Sequence, residues 1–142
     1  MKNLLDRVIG YRINRPTYWA NLLGIIALLA ALIYFDIIGE SNGSGAIVVV
    51  FAILAGTRLH DIGISAKYAL AGAVVHSILG VFLIVAKGLE QALVPLGLLN
   101  LAFLVLLVWL GLVPGEKDAN EWGPRPPDGI NWKRPEQERA GE

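Results

Sequence analysis

Residues 18–38, YWANLLGIIALLAALIYFDII, decide the fold: 21 residues in which only Asn21 and Asp36 interrupt the apolar run. At ~1.5 Å rise per residue, a helix of that length crosses a hydrocarbon core of ~30 Å. The run is longer than the roughly 7–15 apolar residues of a secretory leader, and no small-residue cleavage site follows it. It therefore reads as a retained helix.

Working outward, three further runs follow. Residues 46–57 are apolar, and the helical pattern extends over 44–62 if the Arg58 stem reaches the interface and keeps its head wet. Gly63 is a helix stop and Ser65 an N-cap, leading to a third run over 66–86. A turn at 88–91 leads to a fourth over 92–113, with Pro95 in its first turn and Pro114-Gly115 closing it. The expected fold is an all-α integral membrane protein, a four-transmembrane-helix bundle. A cytoplasmic interfacial segment (1–17) precedes it and a Pro/Gly-rich cytoplasmic tail (114–142) follows. The alternative, a re-entrant hairpin at the second run, leaves three spans and termini on opposite sides.

Composition agrees with a bilayer. Of 142 residues, 55% are hydrophobic and 17% charged, and the mean hydropathy is +0.57. The absence of cysteine excludes disulfides, iron–sulfur clusters and thiolate zinc sites, and a net charge of zero gives no pull toward nucleic acid.

Charge matters by position. With four spans, eleven Lys and Arg residues fall on the side of the termini and only Lys87 on the other. The longer inner segments inflate that ratio. The local contrast does not depend on length to the same degree: Lys2, Arg7, Arg12 and Arg15 precede the first span, and residues 39–45 after it carry no basic residue. Both termini are expected inside the cell. Leu4, Leu5, Val8 and Ile9 share one face of a short helix expected to lie along the inner interface. Tyr18, Trp19, Trp109 and Trp122, with Trp132, are expected at that boundary, where amphipathic rings are favoured. Small residues at helical spacing (Ala20, Gly24, Ala27 and Ala31; Ala52 and Gly56; Gly72 and Gly80) predict close packing, within the chain or against another subunit.

The densest polar group is Arg58-Leu59-His60-Asp61. Arg58 and Asp61, three apart on a helix, can pair locally and so lower the cost of an arginine at the membrane boundary. His60 points to a different face. Arg12 and Arg15 before the first span, and Asn120 in the turn-rich 120–126 stretch, lie on the same side, so the expected inner-face network is Arg12, Arg15, Arg58, His60, Asp61 and Asn120. Arg12 and Arg15 also suit anionic lipid phosphates. His76 lies near the middle of the third span, with Asn100 of the fourth within reach. That pair is a structural hydrogen bond, a proton or substrate site, or a contact to another subunit. The chain past Asp128 is expected to be disordered. No Gly-rich phosphate loop, nucleophile elbow or metalloprotease helix is present, so neither a catalytic residue, a metal site nor a cofactor is assigned.

These motifs, in order and between apolar runs, resemble the YhaH-like family of bacterial inner-membrane proteins, the domain of unknown function DUF805, over about residues 10–126. The family's arginine-rich motif ending in Tyr-Trp matches Arg12, Arg15, Tyr18 and Trp19. Its Arg-Arg-Leu-His-Asp motif matches Arg58, Leu59, His60 and Asp61, followed by Gly63 and Ser65. Its Pro-Gly turn and Asn-x-aromatic-Gly-Pro-x-Pro close match Pro114, Gly115, Asn120, Trp122, Gly123, Pro124 and Pro126. Thr57 stands where the first arginine of the pair is usual, Tyr11 where glycine is common, and Lys67-Tyr68 where an aromatic pair is common. The resemblance implies the bacterial inner membrane and no reaction.

The expected function is a non-enzymatic accessory or scaffold subunit of a membrane assembly, in contact with lipid, anionic lipid included, and with other membrane subunits. The alternatives are a transporter or channel component, with His76 and Asn100 lining a path, and an enzyme acting on lipid or a small anion.

Overall fold

The computed structural model describes residues 10–37 and 44–133. Four helices follow one another: α1 (Arg15–Tyr34), α2 (Ser44–Asp61), α3 (Lys67–Lys87) and α4 (Leu89–Leu112). The expected interfacial helix near the N-terminus and the loop after the first span lie outside the described residues. Among the described residues, α1, α3 and α4 are long and apolar enough to cross a membrane.

Local chemistry sets the boundaries. Asn14 caps α1, its Oδ1 accepting from the Thr17 N–H at 2.9 Å, with Pro16 in the first turn, where no N–H is needed. Gly63 takes a φ of +79° after α2, and Gly88 a φ of +74° between α3 and α4, a conformation that costs glycine little. The turn expected at 88–91 shrinks to Gly88 alone. Leu89, Glu90 and Gln91 are already helical, so Pro95 falls inside α4 rather than in its first turn. Residues around Gly88 carry no second breaker, and an apolar helix propagates up to the one that exists. At α3 the N-cap position is Ala66, and the Ser65 hydroxyl accepts only a long 3.4 Å bond from the Lys67 N–H.

The helices meet at one end. The buried core is Ile13, Tyr18, Leu22, Leu54, Ala55, Leu59, Leu107 and Leu110, drawn from the start of α1 and the last turns of α2 and α4. Tyr18 is wholly buried and donates its hydroxyl to the Leu107 carbonyl at 2.7 Å. A phenol with a backbone acceptor in reach is satisfied without water. Tyr18→Phe should cost about 0.5–1.5 kcal/mol, measurable as a lowered thermal midpoint in mild detergent.

Away from that end the helices open. α2 packs along α3, and α3 along α4, while α1 and α3 do not approach one another among the described residues. A Cβ added at Gly24 or Gly72 would have nothing within 4 Å, and one at Gly80 would meet only Leu96 Cδ2 at 3.8 Å. Of the small-residue stripes, only Ala52 and Gly56 on α2 are buried inside the chain. The compact bundle expected from those stripes is thus closed at one end only. Apolar faces gain nothing by leaving lipid for one another, so small residues permit contact without compelling it.

Candidate functional site

The closed end is organised around one carboxylate. Asp61, on the last turn of α2, receives Arg12 through Nε and Nη2 on Oδ1, at 3.2 and 3.1 Å, and Arg58 Nη1 on Oδ2. All three side chains are buried, Arg58 completely. Two arginines on one carboxylate leave an excess positive charge, and backbone carbonyl dipoles answer it. Arg58 donates to the carbonyls of Leu110 at 3.1 Å, Ile13 at 3.2 Å and Val113. Arg12 donates to those of Glu116 at 2.8 Å, Asp118 at 2.8 Å and Gly123 at 3.2 Å. Every N–H of Arg12 is thereby used, and the planar fork of each guanidinium ties separate segments of chain together.

The segment after α4 is drawn underneath. The Glu116 N–H donates to the Asp61 carbonyl at 2.7 Å. Asn120 Nδ2 donates to the His60 carbonyl at 2.9 Å and to Glu116 Oε2 at 2.7 Å. Asn120 and Gly123 exchange backbone bonds at 3.0 Å each, which folds the turn and lays Trp122 against His60, ring centres 4.5 Å apart and planes 11° from parallel. Thr57 is buried and turns its hydroxyl back to the Leu54 carbonyl at 2.9 Å.

Five of the six residues expected at this face therefore meet, and Arg15 does not join them. It occupies the first turn of α1, exposed, with no carboxylate partner among the described residues. The tail continues the clamp past the point where disorder was expected. Asn14 Nδ2 donates to the Gly129 carbonyl at 2.7 Å, the Asn131 N–H to Thr17 Oγ1 at 2.9 Å, and Trp132 Nε1 to Asn21 Oδ1 at 3.0 Å. Residues 129–132 are held by individual hydrogen bonds, which composition does not register. Thr17 and Asn131 carried no signal in the sequence beyond being polar. Among the remaining aromatics, Trp19 donates to the Gly111 carbonyl at 3.1 Å and Trp109 is half exposed on α4.

Several hollows adjoin the network, and two of them are large. Beside it lies a cavity of about 700 Å³ that takes in Arg15, Trp19, Leu112, Glu116, Lys117 and Arg125. Along the membrane-length flank, α2, α3 and α4 enclose an apolar groove of about 370 Å³ that includes Ala52, Tyr68, Gly72, His76 and Phe103. His76 Nε2 and Asn100 Oδ1 are 3.1 Å apart, with His76 against the Phe103 ring at 4.9 Å. His76 Nδ1 has no partner among the described residues. No cluster of three or more metal-ligating side chains occurs among them.

Comparison with known families places the chain. Residues 9–124 match the family model described as "Protein of unknown function (DUF805)", and the chain belongs to that family, as its three motifs predicted. Neither a curated protein nor a solved structure matches it.

Proposed function

We propose that this protein is a non-enzymatic accessory or scaffold subunit of an assembly in the bacterial inner membrane, crossing it four times with both termini and the arginine–aspartate network on the cytoplasmic side. The observation that carries the reading is the His76–Asn100 pair beside an open apolar groove. Polar side chains at membrane depth need partners, and hydrogen bonding across helices is one way that helices associate in lipid. His76 and Asn100 bond to each other at the side of a groove rather than lining an enclosed path, which favours packing over conduction.

The network supports the same reading from the other end of the molecule. Its arginine donors are directed at backbone carbonyls and at one carboxylate, an arrangement that fixes chain segments and leaves little for a reacting group to engage. The orientation is supported by the three basic residues before α1, with Arg15 in its first turn, and by the stretch after it, which holds Asp36 and Glu40 and no basic residue.

The test is the mass of the native particle. Extraction in a mild detergent followed by native mass measurement should give a particle containing a second copy or another membrane subunit, and His76→Leu with Asn100→Leu should reduce it. Monomer alone, with no co-purifying protein, would overturn the reading.

A further inference from the structure

The cavity beside the network has an uneven charge. Asp61 is answered by Arg12 and Arg58, and Asp128 by Arg125 at 2.8 Å. Glu116 turns its carboxylate to Asn120 and toward Gly63. Against that one carboxylate stand two cations on the wall, Arg15 from the start of α1 and Lys117 from the segment after α4, both exposed and neither with a carboxylate partner among the described residues. Two cations brought to one hollow by elements about 100 residues apart repel each other unless an anion lies between them.

The rest of the wall tells which anion. Trp19 and Leu112 also line the cavity. They sit near the ends of α1 and α4, two of the helices apolar enough to span a membrane, so the wall joins the cations to the apolar ends of those helices. A soluble phosphate would use the cations and leave that apolar edge idle. A phospholipid uses both, its phosphate at the cations and its acyl chains along α1 and α4. We infer that the cavity between Arg15 and Lys117 is a binding site for the phosphate-bearing headgroup of an anionic phospholipid. The site shares no lining residue with the groove beside His76 and does not depend on whether that groove takes a partner.

The full chain, purified in mild detergent and exchanged into micelles doped with phosphatidylglycerol or with phosphatidylcholine of the same acyl chains, can be weighed with its retained lipid. Wild type should retain phosphatidylglycerol in preference, with affinity falling about 5-fold for Arg15→Gln or Lys117→Gln and about 30-fold for the two together. Arg15→Lys with Lys117→Arg should keep the preference, which separates charge from folding. Lys87→Gln, at the far end of α3, should leave it unchanged. Three results would overturn the site: equal retention of the two lipids by wild type, an undiminished preference in the double Gln variant, or glycerol phosphate alone binding as tightly as the lipid.

Discussion

Asp61→Asn should cost about 3–5 kcal/mol of stability, the loss expected when one partner of a buried charge pair is removed and the other stays. The substitution is nearly isosteric, so packing is not the reason. Asn keeps one carbonyl oxygen, and Arg12 on Oδ1 can still find an acceptor. On the other side an N–H₂ replaces Oδ2 and faces Arg58 Nη1, donor against donor. The larger effect is charge. With Asp61 neutral, two buried guanidiniums share one end of the bundle with carbonyl dipoles alone to answer them. The measurement is a thermal or denaturant midpoint in mild detergent, with Asp61→Glu and Arg58→Lys alongside. Arg58→Lys retains the charge yet replaces a fork that reaches the carbonyls of Leu110, Ile13 and Val113 with a single ammonium. If ionic attraction alone held this end together, Arg58→Lys would be tolerated; if bridging of carbonyls matters as much, it should fall well short of wild type.

The difference between those two outcomes also marks what the sequence could and could not reveal. Membrane-length helices were legible because apolar runs of that length have few other uses, and Arg58 with Asp61 because spacing on a helix fixes which side chains can touch. Arg12 was legible as a basic residue on the right side. Its difference from Arg15 was not, since it depends on where α1 begins. Arg12 precedes the Asn14 cap and can reach under the bundle, whereas Arg15 is the first residue of the helix and is carried outward with it. The carbonyls of Glu116, Asp118 and Gly123 that complete the Arg12 shell have no side-chain signature at all. Proline and glycine around them announced a turn without saying what the turn would wrap. The small-residue stripes were the opposite case, a clear pattern whose partner the pattern does not name: Ala52 and Gly56 pack inside the chain, while Gly24 and Gly72 remain open.

Gly115→Ala follows from the same geometry and should be strongly destabilising for an exchange of a single hydrogen for a methyl group. Gly115 precedes Glu116, whose N–H bonds the Asp61 carbonyl, so its backbone is pressed against the last turn of α2. A Cβ at Gly115 would overlap the Asp61 carboxylate, with Asp61 Cγ at 2.7 Å and Oδ1 at 3.1 Å. A surface carboxylate would swing aside at little cost. This one is held on both oxygens by arginines that are themselves tied to six backbone carbonyls, so either the carboxylate leaves its partners or the segment after Pro114 lifts away. Overpacking of this kind costs about 1–3 kcal/mol, and loss of the ion pairs would add to it. The control is Gly97→Ala on α4, where an added Cβ has nothing within 4 Å and the better helix former should be neutral or slightly stabilising. If the two variants melt together, the segment after α4 is not clamped to Asp61. If Gly115→Ala alone falls, and Asp61→Asn adds less to it than to wild type, the two residues belong to one coupled unit, since substitutions that disrupt the same contact do not add.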